Sequence, residues 1–149
     1  MERTLGKRIF DVLIALVLLI ASAPLWVVIA LAIKMTTPCP VFYVQRRVGY
    51  RGTPFNMVKF CTMYPGSDEY RRAAQNDERV TPVGRILRKT YLNELPQLLH
   101  VLHGKMSMVG PRPIQSETVE VRCSRYQLRL TVLPGLTGLA QIKGSRWID

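Results

Sequence analysis

From Val12 to Ile33 the chain reads VLIALVLLIASAPLWVVIALAI, without a single charged residue. As one helix this run would be about 33 Å long, enough to cross the hydrocarbon core of a bilayer. The core helix of a soluble domain is usually served by a much shorter apolar stretch, so a membrane environment is the first expectation. A cleaved signal peptide fits less well, because Ala21-Ser22-Ala23 is followed at once by Pro24 and further apolar residues. Pro24 falls near the middle of the run and cannot donate a backbone hydrogen bond, which predicts a kink where lipid offers no water in compensation. Ser22 is close enough to serve the freed backbone groups. The flanks are alike, with Arg3, Lys7 and Arg8 before the run and Lys34, Arg46, Arg47 and Arg51 after it. A spanning helix should instead show a bias of positive charge between its sides. Two topologies remain open on these residues: a kinked span, or a re-entrant helix that enters one leaflet, bends at Pro24 and returns. Each arm of the latter would reach only about 15–18 Å.

The remainder is long enough for one modest core within a chain of 149 residues. Twenty-one Lys and Arg against 10 Asp and Glu give a net charge of +11, which calls for a polyanionic partner. Nucleic acid, an anionic membrane surface and phosphate-bearing substrates all qualify. The basic residues are not interleaved with aromatics, and aromatic content is 8%, so the stacking platform of a nucleic-acid binder is missing. No acidic residue occurs between Asp11 and Asp68, and the basic apron of Lys34, Arg46, Arg47, Arg51 and Lys59 suits anionic headgroups. Cys39, Cys61 and Cys123 are odd in number and form no C-x-x-C pair, which reads as reduced, structural cysteine. His100 and His103 have no third ligand nearby to suggest a zinc site.

The soluble part begins with a β-hairpin-like element, its strands around Tyr43-Val44 and Phe55–Lys59 joined through Gly49 and Gly52. Residues 64–81 predict a short helix and a turn before Pro82, with helix resuming from Val83 to Leu87. Leu95, Leu98, Leu99 and Leu102 form an apolar stripe ended by Gly104. That stripe predicts a helix starting near Asn93, with Asn93 as N-cap, Pro96 in the first turn, and Gln97, His100 and His103 facing away from the core. KMSMV reads as a short strand. Gly110-Pro111-Arg112-Pro113 reads as a rigid turn presenting Arg112 as a phosphate fork. A helix is expected over Gln115–Leu130, carrying Arg122, Arg125 and Arg129, and a glycine-rich loop closes the chain.

Taken together, KRIFDV, the Pro24-interrupted apolar run, FYVQRRVGYRGTPFNMVKF, DERVTPVGRILRKT, NELPQL, MSMVGPRP and LPGLTGLAQI resemble the bacterial sugar transferase family of monotopic phosphoglycosyl transferases. These enzymes move a sugar phosphate from a nucleotide diphosphate sugar to polyprenyl phosphate. The resemblance covers nearly the whole chain. It implies an α+β, mostly helical fold, with a re-entrant membrane helix broken at Pro24 over residues 1–36. A small globular domain with short β elements, 37–149, would lie on the cytoplasmic face of the bacterial inner membrane. It also implies Mg²⁺ dependence and an Asp-Glu pair ahead of LPQL, whose Asp attacks the β-phosphate as a covalent nucleophile. Asn93 matches the position of that Asp, and Glu94 matches the Glu, a metal ligand. Lys59, Arg85, Arg88, Gln97 and Arg112 lie within the matching segments and are expected to bind substrate.

The pattern departs from the family at several points. Asn93 stands for the nucleophilic Asp, Lys105 for the Asp of GDMS, Cys61 for Arg, His100 for Asn, and Ala23 for the Ser beside Pro24. Leu139 stands where Trp is common, and family members continue beyond the segment matching QIKG, so a truncated C-terminus is an expectation too. Two functional readings follow. In the first the chain is catalytically silent, either a natural pseudoenzyme that pairs as a homo-oligomer or with an active relative, or a variant inactivated by substitution; in the other, Glu94 has taken over attack or metal binding. Glu94 is about 100° around a helix from position 93 and one methylene longer than Asp, which weighs against the second.

Overall fold

The computed structural model describes residues 4–67, 77–115 and 124–139. The first helix, α1 (Leu5–Thr36), is capped by Thr4, whose Oγ1 accepts from the Lys7 backbone N–H at 3.4 Å. Pro24 lies inside α1, and the helix is continuous through it, so the expected break is not an interruption of helical backbone. The fixed φ of proline is itself helical, and what its ring removes is a single donor. Ser22 Oγ donates to the Leu19 carbonyl at 3.3 Å and accepts from Trp26 Nε1 at 3.2 Å.

Asp11 and Ala15 near one end of α1 are buried, as are Ile29 and Ile33 near the other, each pair at the i, i+4 spacing of one face. Between and around them Leu13, Val17, Ile20, Val27, Val28 and Leu31 are exposed. The two buried pairs feed two separate cores. Ala15 joins Phe55, Met57, Leu98, Val101, Met106 and Met108 in one. Ile29 and Ile33 join Cys39, Phe60, Cys61 and Leu87 in the other. Both halves of the long apolar helix therefore rest on the one small α+β domain.

The expected hairpin is present. Strands β1 (Phe42–Val48) and β2 (Pro54–Phe60) pair antiparallel from Phe42 with Phe60 to Val48 with Pro54. Alternation along β2 turns Phe55 and Met57 to the first core, while Phe60 enters the second. There Phe60 packs on Trp26 and Phe42, with ring centroids 5.5 and 5.4 Å away. Cys39 and Cys61 are buried thiols whose sulfurs both donate to the Met63 carbonyl; Cys123 is outside the described residues.

Helix α2 (Pro82–Lys89) starts at Thr81, whose Oγ1 accepts from Gly84 N at 2.9 Å. Much of the helix expected within 64–81 is outside the described residues. The leucine stripe forms a 3-10 helix (Leu92–Gln97) that passes into the short α3 (Leu98–Leu102). Asn93 is not its N-cap. Tyr91 holds that place in left-handed conformation, with φ of 60°, and turns the chain sharply between α2 and the 3-10 helix. Gln97 and His100 are buried rather than outward-facing, and Leu99 is exposed. The 3-10 segment rotates residues by 120° instead of 100°, which moves that stripe around the axis.

Beyond α3, β3 (Ser107–Val109) pairs in parallel with β5 (Gly135–Thr137), which lies within the segment expected to be loop. Gln115 is not helical but belongs to β4 (Ile114–Gln115), paired antiparallel to β1. The expected helix there is limited, among the described residues, to α4 (Ser124–Leu130), so Arg122 is outside them.

Candidate active site

The left-handed turn at Tyr91 delivers Leu92, Asn93 and Glu94 against β2, and the Glu94 N–H returns to the Tyr91 carbonyl at 3.0 Å. From the opposite side comes the Gly110–Pro113 turn. Its position is fixed by two glycines in backbone contact, since a Cβ on Gly135 would fall 2.0 Å from Gly110 N. This turn carries Arg112, whose Nη2 donates to Glu94 Oε1 at 3.0 Å.

Lys59 completes the group from β2. Burial, then the guanidinium of Arg112, push its ammonium down to about 7; Glu94 opposes this, and Arg47 and Arg88 add to it. Lys59, Arg112, Arg47 and Arg88 thus share one electrostatic environment, in which Glu94 is, among the described residues, the sole carboxylate acting on Lys59. A site so rich in cations and partly buried is built to receive an anion. Arg88 is set by α2 and donates from Nε to Thr62 Oγ1 at 2.8 Å.

Four of the residues singled out from the sequence therefore converge, namely Lys59, Arg88, Glu94 and Arg112, with Asn93 next to them in the chain. Gln97 lies at the end of the same 3-10 helix, 2% exposed, and its Nε2 has no hydrogen-bond partner among the described residues. Arg85 is exposed on α2 and is not among the charges acting on Lys59. Sequence reasoning missed Arg47 and Thr62. Arg47 is buried, donates to Gln45 Oε1 at 2.8 and 3.1 Å, and reaches the Pro113 carbonyl at 3.0 Å, bracing the turn that holds Arg112. The signal was the Gln45-x-Arg47 spacing, which puts both side chains on one face of a strand.

Residues 2–148 match the family described as bacterial sugar transferase. The chain is 46% identical to the UDP-glucose:undecaprenyl-phosphate glucose-1-phosphate transferase of Caulobacter vibrioides, over 95% of this chain and 55% of that protein. It is 42% identical to the exopolysaccharide production protein ExoY of Sinorhizobium fredii, over 94% of this chain and 70% of that one. A similar relation, 43% identity over 94% of this chain and 31% of the relative, holds for the Escherichia coli protein named like the first. The chain belongs to the bacterial sugar transferase family.

For a bacterial sugar transferase read as Mg²⁺-dependent, the donor set here does not fit a protein-held divalent ion. Mg²⁺ takes oxygen ligands in near-octahedral array, commonly with one or two carboxylates free to bind it. Among the described residues no three His, Cys, Asp or Glu come together. Glu94 is already engaged by Arg112, and Asn93 offers only a neutral carbonyl oxygen. Lys105, another of the departures from the bacterial sugar transferase pattern, is exposed on the turn after α3 and acts on His100; it is not among the charges acting on Lys59.

Proposed function

We propose that this chain is a membrane-bound phosphoglycosyl transferase-like protein of bacterial exopolysaccharide assembly that binds nucleotide diphosphate sugar and polyprenyl phosphate but forms no phosphosugar intermediate. UDP-glucose, the substrate in the names of several relatives, is the nucleotide sugar it would take. The observation that carries this reading is the convergence of Lys59, Arg88 and Arg112 around Glu94, next to Asn93. Arg112, rigidly held by its turn, supplies a planar fork for phosphate oxygens. Lys59, near 7 in the free protein, would gain a proton's worth of attraction from an arriving phosphate. The Nε2 of Gln97, without a partner among the described residues, adds a buried donor on the same segment. What is missing is the nucleophile, since the amide of Asn93 has no carboxylate charge and is a weak attacking group.

The re-entrant topology belongs to the same proposal. It is supported by the docking of both halves of α1 on one domain, and by the exposed apolar side chains between its buried ends. This arrangement would hold the Glu94 cluster close to the cytoplasmic surface of the inner membrane, where polyprenyl phosphate presents its headgroup.

A second reading is favoured by one observation: Glu94, unlike Asn93, is a carboxylate already inside the cation cluster. It predicts attack by Glu94 and a covalent sugar phosphate there. Intact-protein mass spectrometry after incubation with UDP-glucose and Mg²⁺, alongside UMP release with undecaprenyl phosphate, separates the two. The silent reading expects no adduct and no UMP from the unaltered chain, and an adduct on residue 93 in Asn93→Asp. A sugar-phosphate adduct on Glu94 of the unaltered chain would replace it with the second reading.

A further inference from the structure

The Glu94 cluster accounts for the phosphates of a nucleotide sugar but leaves its base unplaced. Along the face of the Arg112 turn runs a shallow cleft bordered by Gly49, Arg112, Arg129 and Leu130. Leu130 is also a wall of a second, larger concavity of about 360 Å³, lined by Tyr50, Arg51, Gln127, Leu130 and Thr131. That volume lies within the roughly 300–1,000 Å³ of small-molecule sites. Gly49 and Tyr50 are consecutive, so the two hollows adjoin through both the hairpin loop and α4.

The lining of the larger hollow is unusual for solvent-facing surface. Tyr50 carries the Arg51 guanidinium over its ring, with Cζ 5.1 Å from the centroid. Arg51 has φ of 54°, one of two non-glycine residues in the left-handed region among those described, the other being Tyr91 at the active-site turn. Backbone strain of this kind persists where the surroundings demand it, often at ligand-holding loops. An aromatic ring backed by a guanidinium offers a flat face on which a base can stack. Gln127, exposed on α4, brings an amide with two donors and an acceptor, suited to the polar edge of a base, and Thr131 adds a hydroxyl. Among the described residues no carboxylate lines the hollow, as sugar hydroxyls would favour.

We infer that the concavity between the hairpin loop and α4 is the nucleoside subsite of the bound nucleotide diphosphate, with Tyr50 and Arg51 stacking on the base and Gln127 reading its edge. The pyrophosphate would then run past Arg129 to Arg112 and Lys59. This rests on the phosphate-binding reading of the Glu94 cluster.

The test is calorimetric titration of the full chain in lipid nanodiscs with UDP and, separately, with pyrophosphate. Tyr50→Leu and Gln127→Leu should each weaken UDP about tenfold, the scale of a lost stacking or edge contact, and leave pyrophosphate binding unchanged. Thr131→Trp, on an exposed position outside the phosphate cluster, should block UDP by filling the hollow while again sparing pyrophosphate. Arg112→Met should weaken both ligands. Unchanged UDP affinity in the first three variants overturns the subsite but leaves the phosphate site standing, and equal loss of both ligands in those variants also overturns it. If the unaltered chain binds neither ligand, the phosphate-site reading fails and the subsite with it.

Discussion

At the scale of single residues, His100 shows how a departure from the family pattern can be absorbed structurally. Its Nε2 accepts from the Val58 backbone N–H at 3.0 Å, capping an open position on the edge of β2, and its ring meets Phe55 edge-on at 5.6 Å. Burial first, then Lys105 and His103, hold its pKa below the ordinary 6.5. The unfolded chain therefore binds this proton at a higher pH than the fold does, and stability falls as pH drops from about 6.5 toward the folded value. His100→Asn keeps an acceptor without the titration. Urea unfolding in detergent at pH 7.5 and 5.0 should show a smaller acid-induced loss for the variant; equal losses would mean that His100 is not the group responsible. Gly84 is the opposite case, tolerant of nothing larger. A Cβ there would fall 2.2 Å from the Thr62 carbonyl oxygen, whose neighbouring hydroxyl holds Arg88. Gly84→Ala should cost roughly 1–3 kcal/mol by forcing α2 outward, read as a lower urea midpoint. It should weaken pyrophosphate binding as well, because Arg88 moves with α2.

At the scale of elements, the decisive contact is between the first turns of α1 and the end of α3. Arg8 donates through Nη1 and Nη2 to the Val101 and Leu102 carbonyls at 2.6 and 2.7 Å, at the C-terminal end of α3, where the Val101 carbonyl also accepts from Gly104 N at 3.0 Å. Buried Asp11 pairs with Lys7 and accepts from Met108 N at 3.1 Å, while Lys7 donates to Ser107 Oγ at 2.7 Å. The membrane helix is thereby tied to β3 and to the helix whose other end leads back to Asn93 and Glu94. Hydrogen bonds to a charged donor are worth about 1.5–3 kcal/mol. Arg8→Met should therefore lower the stability of the detergent-solubilised protein by that order, with Arg8→Lys intermediate because it replaces a two-pronged donor by a point charge. An unchanged urea midpoint in Arg8→Met would show that α1 docks through its apolar contacts alone.

At the scale of the whole molecule, the question is on which side of the bilayer the two flanks of α1 lie. A straight helix of 32 residues would be about 48 Å long, more than the hydrocarbon thickness, yet residues from both of its halves belong to the cores of one domain. The expected outcome follows: single cysteines placed at Thr4 and Thr53, with Cys39, Cys61 and Cys123 replaced, should react with an impermeant thiol reagent from the same side of inverted inner-membrane vesicles. Labelling from opposite sides would require α1 to span. The basic flanks add an electrostatic component that weakens as salt screens it, so partial release by high salt is not expected to reach completion.

What the residues alone determined is what depends on local pattern. The apolar run with Pro24, the hairpin of β1 and β2, the start of α2 and the motif segments that carry Lys59, Arg85, Arg88, Glu94, Gln97 and Arg112 were legible, because periodicity, turn residues and motif order are properties of neighbours in the chain. The tertiary structure decided what depends on distant partners. Position 93 lost its capping role to a left-handed Tyr91; Gln97 and His100 turned inward; Gln115 joined β1; and a segment that read as loop became β5 because Gly135 and Gly110 pack backbone to backbone. Arg47 looked like one more cation of the basic apron until Pro113, 66 positions away, became its acceptor. Long-range contacts of that kind leave no periodic trace, since each is settled by the single geometry in which all the buried polar groups find partners at once.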